Sequence, residues 1–102
     1  MPTIEQLERL LESNPEDVFL NYALAMEFVK VGRTDDALLR FERTLDLDRA
    51  YVAAYFHKGR LLINLGRIED ARATLSEGVD VAANVSNEKA RRELSELLAE
   101  LG

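Results

Sequence analysis

The sequence predicts an all-α fold, an array of antiparallel helix pairs with about six helices. Three observations predict it. Gly32-Arg33-Thr34-Asp35-Asp36-Ala37 returns 34 residues later as Gly66-Arg67-Ile68-Glu69-Asp70-Ala71, and a fixed period of this size marks a repeat architecture. Apolar residues recur at spacings of three and four rather than alternating, which excludes half-buried strands. Each copy of the repeated stretch opens on a glycine, the residue that most cheaply enters the left-handed region that stops a helix.

The elements follow in order. Thr3-Ile4-Glu5-Gln6 has the form of a capping box, in which Thr3 and Gln6 satisfy each other's backbone donors. Ile4, Leu7, Leu10 and Leu11 then keep helical spacing, and this helix should end near Ser13. Asn14-Pro15-Glu16-Asp17 reads as a second start, with a capping residue, proline at the first helical position and acids in the first turn. The second helix should run from Pro15 or Glu16 to Val31, where Gly32 stops it. Thr34-Asp35-Asp36 starts the third, which should run to Leu47 with Ala37, Leu38, Phe41 and Leu45 inward. Asp48 is the expected cap of a fourth helix over residues 49–65, stopped by Gly66. The fifth should span Ile68 to Ala83. Asn84-Val85-Ser86-Asn87 offers two caps for a last helix with Ala90, Leu94, Leu97, Leu98 and Leu101 on one stripe.

The 102 residues suffice for one small domain with a core of its own. With 47% apolar and 31% charged residues the chain reads as globular. It has no cysteine, so disulfides and thiolate chemistry are excluded. No apolar run approaches a membrane span, and the N-terminal stretch lacks the apolar core of a signal peptide. A cytoplasmic location is expected. Met1 and the ending Leu101-Gly102 fit a whole small protein as well as an excised domain. The net charge of −6, with no basic run, argues against nucleic acid as a partner.

Residues 18–51 compared with 52–85 give identities at Val18/Val52, Gly32/Gly66, Arg33/Arg67, Asp36/Asp70, Ala37/Ala71 and Asp46/Asp80. Ala25/Gly59 are small where two helices should approach closely, and Phe41/Leu75 are large beside them. A 34-residue helix–turn–helix unit with these small and large positions resembles the tetratricopeptide repeat (TPR) family. The resemblance implies a right-handed superhelical array, a TPR-like α-solenoid. It divides a single domain, 1–102, into an N-terminal half-repeat helix (3–14), two full units (18–51 and 52–85) and a C-terminal capping helix (87–101). Departures stand beside it. The usual early aromatic is Asn21 in the first unit and Tyr55 in the second. The closing proline, present as Pro15, is replaced by Arg49 and Ala83. Lys58 stands where the first unit has Leu24. The last helix would put Glu93 and Glu96 on packing positions, so it reads as an amphipathic cap, which a repeat array needs at its end.

The second helix is apolar nearly all round. Leu20, Leu24, Phe28 and Val31 make one stripe, and Phe19, Tyr22, Met26 and Val29 make another. Such a helix is buried on both sides or exposes an adhesive face. The resemblance implies that the first helix of each unit lines a concave groove. The expected partner-binding residues are then Phe19, Tyr22, Met26 and Val29, with Phe56, Arg60, Ile63 and Asn64 from the second unit. Ala53, like Val29, also fits internal packing. Aromatics, methionine and arginine are enriched in interface cores, and Arg60 suits a carboxylate, although a local salt bridge serves it equally well. One TPR subclass grips the C-terminal carboxylate of heat-shock chaperones with Lys, Asn and Arg. The corresponding places here hold Tyr22, Met26 and His57, so a largely apolar groove with one or two polar anchors is expected instead.

The expected function is a protein–protein interaction module that binds a peptide or partner segment. The alternative is a self-associating structural unit, a homodimer through the concave faces. An enzyme is not expected. His57 is the sole histidine, cysteine is absent, and no metal-ligand spacing or phosphate loop exists. Asp35-Asp36 and Glu69-Asp70 are explained by the helix dipole. No cofactor or membrane partner is expected.

Overall fold

In a computed structural model, residues 2–102 are described; Met1, the first residue of the expected domain, lies outside the described residues. These residues form six helices and no strand: α1 (Ile4–Ser13), α2 (Val18–Lys30), α3 (Thr34–Leu47), α4 (Val52–Asn64), α5 (Ile68–Asn84) and α6 (Glu88–Ala99). They make two compact units, one ending at Asp48 and one running Arg49–Gly102. No helix is long and apolar enough to cross a membrane.

In the first unit α2 packs on both α1 and α3. The capping box forms as the sequence predicts, with Gln6 N–H donating to Thr3 Oγ1 at 3.1 Å and Thr3 N–H donating to Gln6 Oε1 at 2.8 Å. Leu7 and Leu11 of α1, Leu24, Ala25 and Phe28 of α2, and Ala37, Phe41 and Leu45 of α3 are buried together. Tyr22 lies beside Phe41, ring centroids 6.3 Å apart.

In the second unit α5 packs on α4 and α6, and α6 also reaches α4. Gly59 of α4 faces Leu75 of α5, where an added Cβ would collide with a side chain that is fully buried and cannot yield. Gly78 of α5 faces Tyr55 of α4, and a Cβ there would stand 2.7 Å from Tyr55 Cβ and 3.2 Å from Leu94 Cδ2. The glycine thus lets a large buried tyrosine fit. The equivalent positions of the first unit, 34 residues earlier, hold Asn21 and Thr44, both fully buried. There a smaller α2 side chain is matched by a larger α3 one. Gly78 was not singled out in the sequence; the signal was this compensating pair at the repeat period.

The α2–α3 and α4–α5 turns share one geometry. Gly32 (φ 79°) and Gly66 (φ 77°) are left-handed. Arg33 N–H donates to Phe28 O, and Arg67 N–H to Leu62 O, each at 2.9 Å, the wider bond of a Schellman motif. The α5–α6 turn copies it with Ser86 (φ 58°) in the glycine place and Asn87 N–H donating to Ala82 O at 2.9 Å. Asn87 rather than Asn84 caps α6, its side chain accepting from Ala90 N–H at 3.0 Å.

Two expected helix starts are corrected. Residues 14–17 are a turn, not a cap and first helical turn. Asn14 ends α1, and Asp17 caps α2 by accepting Leu20 N–H at 2.9 Å. Likewise Asp48 ends α3, its N–H donating to Thr44 O, and α4 starts only at Val52. Both turns are held by a side chain from the helix that follows. Asn21 Nδ2 donates to Pro15 O at 3.2 Å, and the Tyr55 hydroxyl donates to Arg49 O at 2.9 Å. Positions 21 and 55 correspond, as do 15 and 49, so two different side chains serve one purpose. Asn21 Nδ2 also reaches Asp17 O at 2.9 Å, and its Oδ1 accepts from Arg40 Nη1 at 2.9 Å. Glu77 Oε2 lies 3.1 Å from the Tyr55 hydroxyl and 3.0 Å from Arg49 Nη1. Burial, then the Glu77 carboxylate, hold the Tyr55 phenol above its usual pKa, so it remains a donor.

Candidate functional site

In the second unit, α4 and α6 leave a recess of about 310 Å³ between them. Val52, Ala53, Phe56 and His57 of α4 form one wall, and Ala90, Glu93 and Leu94 of α6 the other. These α4 positions fall within about one and a half turns, so a single helix face presents them. The wall from α6 follows from its stripe: Leu94 and Leu97 are buried, whereas Glu93 stands exposed at the rim.

Phe56 is half-buried, with His57 edge-on at 5.3 Å and an interplanar angle of 85°. The Arg60 guanidinium carbon lies over the Phe56 ring at 5.1 Å, within cation–π range. Arg60 is exposed and makes no ion pair among the described residues. Its guanidinium donors therefore face solvent while its position is set by the ring. Burial, then the Arg60 charge, push the His57 pKa below its usual value, so the recess favours neutral imidazole.

The structure brings Phe56 of the expected set to this recess, along with Ala53 and His57; Arg60 is not part of the lining and touches the site through the Phe56 ring. Ile63 and Asn64 are not part of its lining; Ile63 is half-buried and Asn64 exposed near the end of α4. In the first unit, Phe19 of α2 is 61% exposed. Tyr22, Met26 and Val29 follow it, all half-buried. The other α2 stripe divides: Leu24 and Phe28 are core, but Val31 is 59% exposed. Sequence reasoning missed Val52 and the α6 wall. The α6 stripe was visible, but its approach to α4 depends on the Ser86 turn, which carries no glycine to announce it.

Two of the acids discounted for catalysis, Asp36 and Asp70, pair with the arginine of the preceding turn. Arg33 Nε donates to Asp36 Oδ2 at 2.8 Å and Arg67 Nε to Asp70 Oδ2 at 2.9 Å. Among the described residues no group of three or more His, Asp or Glu side chains is placed to hold a metal ion.

The helix pairs, turn glycines and small–large contacts agree with comparisons to known proteins. The sequence profile of the tetratricopeptide repeat matches residues 28–88, and the chain belongs to this family of protein-interaction scaffolds. A solution structure of a tetratricopeptide repeat domain protein from Salinibacter ruber is 37% identical, with a TM-score of 0.81, covering 85% of this chain and 88% of that one. A TPR repeat-containing protein of Pseudomonas aeruginosa is 24% identical over 98 residues, 96% of this chain and 93% of its own length. The TPR2B domain of yeast Sti1, solved as a complex with pHsp70, has the same fold, with a TM-score of 0.89 and 21% identity over 96% of this chain and 78% of that one.

Proposed function

We propose that this chain is a protein-interaction module that takes an apolar segment of a partner protein on α4 of its second unit. The observation that carries this reading is Phe56: a half-buried aromatic at a recess of about 310 Å³, with a solvent-facing arginine fixed over its ring. An aromatic anchor beside a guanidinium is the composition of an interface hot spot. The partner's apolar side chain enters between α4 and α6, and Arg60 offers its free donors to a carboxylate or carbonyl alongside. Taken by itself, α2 of the first unit carries the same residue types in Tyr22 and Met26, with Phe19 as its most exposed apolar group. The solved complex of the similarly folded Sti1 domain supports partner binding as the family's mode of action.

The test compares proteins captured from native lysate by the wild type and by Phe56→Ser. Because Phe56 is only half-buried, the substitution is expected to cost no more than about 1.5 kcal/mol of stability while removing specific partners. Unfolding of the variant, or capture of the same partners in the same amounts, would overturn the reading.

A second reading, self-association, is favoured by Phe19. An aromatic 61% exposed on α2 is material for pairing with a second copy.

A further inference from the structure

A second recess lies wholly within the first unit, over α2 between the flanking helices α1 and α3. It has a volume of about 400 Å³. Arg33, Arg40 and Arg43 line it from the α3 side, at positions that keep one helical face. Phe28 of α2 and Leu39 of α3 supply apolar surface, and Leu39 is 64% exposed. We propose that this recess is a docking site for an acidic, leucine-like segment of a partner protein, with a partner carboxylate held by Arg40 and Arg43 and an aliphatic side chain on Leu39.

Two of the three guanidinia are fixed before any ligand arrives. Arg40 Nη1 is held by Asn21 Oδ1 at 2.9 Å, and Asn21 is itself fully buried and doubly bonded to the backbone. Arg33 is held by Asp36 at 2.8 Å and lies 4.4 Å from the Phe28 ring centroid. Each guanidinium carries five donors, and these bonds use one apiece. Arg43 makes no ion pair or hydrogen bond to a described residue. Three guanidinia against two carboxylates, Glu8 and Asp36, leave the recess net basic in a chain of charge −6. Asp36 is already matched by Arg33, and Glu8 stands on the α1 wall, so the anion belongs on the Arg40–Arg43 side. Of the pair that takes the carboxylate, Arg40 is already fixed and binds with less ordering cost than a free guanidinium, while Arg43 has all its donors to offer. The exposed Leu39 favours a peptide over a bare anion, which would leave that surface unused. This site shares no residue with the α4–α6 recess.

The experiment is amide-resolved NMR titration with a capped pentapeptide alternating glutamate and leucine. Its lysine-for-glutamate counterpart and inorganic phosphate are titrated in parallel. Saturable shifts are expected at the α3 amides around Leu39, Arg40 and Arg43, with none around Phe56. Arg43→Glu is expected to weaken binding at least about tenfold, and Leu39→Ser to weaken it without changing the salt dependence. Both sites are exposed, so both variants keep the fold, which their amide spectra verify. The proposal is overturned if the acidic peptide gives no saturable shift at millimolar concentration, if Arg43→Glu binds equally well, or if the lysine peptide binds as tightly. It is also overturned if phosphate alone reproduces the shifts, which would mark a plain anion site, or if the shifts track protein concentration without peptide, which would make the occupant a second copy.

Discussion

His57 shows how one residue's surroundings set a pH response. It lines the α4–α6 recess beside Phe56, with the Arg60 charge further along its own helix and Glu93 on the facing one. Burial and then Arg60 lower its pKa in the folded protein. The unfolded chain therefore binds a proton near pH 6.5 that the folded chain resists. The stability tied to neutral His57 is fully present above about pH 6.5 and is lost as pH falls below it, through the lowered folded-state value. Urea midpoints measured at pH 7.5 and 5.5 are expected to fall more for the wild type than for His57→Gln. Equal falls would show that the histidine carries no linkage. The sequence offers His57 only as the sole histidine in a place where one TPR subclass has a polar groove residue; its neighbours across the recess come from a helix thirty-odd residues away, and local pattern cannot place them.

At the scale of helices, the pairing of Tyr55 with Gly78 is a contact that neither residue explains alone. Gly78→Thr restores the first unit's Thr44 to a position where Tyr55 leaves no room. Overpacking of this kind costs about 1–3 kcal/mol, and the glycine's low helix propensity offsets only part of it. Adding Tyr55→Asn should recover part of the loss, because the first unit already uses Asn21 with Thr44. Thermal unfolding of the two single variants and the double variant gives the coupling directly, and an additive result would refute the exchange. The helices were legible in the sequence as periodic stripes closed by Gly32 and Gly66. Their starts were not, because the caps proposed at Asn14 and Asp48 obey correct local rules that lose to side chains reaching back from Asn21 and Tyr55. A capping rule reads neighbours three residues away, whereas these bonds span six.

For the molecule as a whole, the repeat period and its small and large positions carried the family assignment, since each has a packing cause that recurs. The proposed partner surfaces were only partly legible. Phe56 and Arg60 stood out by residue type, whereas the α1–α3 recess did not, because its arginines read singly as solvated surface. A net charge of −6 opposes association through bulk repulsion, while the exposed Phe19 favours it locally. If self-association through Phe19 operates, light scattering should show a mass rising with concentration at high micromolar levels. Phe19→Ser should then hold the chain monomeric, and added salt should strengthen wild-type association by screening the acidic charge. A strict monomer under all these conditions would remove that reading.

The reach-back bonds at Asn21 and Tyr55 also bear on length. Each ties a helix to a carbonyl six residues upstream, so the inter-helix turn is measured by a side chain of fixed span. An insertion between residues 15 and 21, or between 49 and 55, would leave the amide or the phenol short of that carbonyl, and the turn would lose the bond that ties it to the following helix. Insertions at the exposed Gly32 or Gly66 turns break no such tie. Of the two kinds of connection, the turns preceding α2 and α4 therefore act as the ruler that keeps successive units at one length.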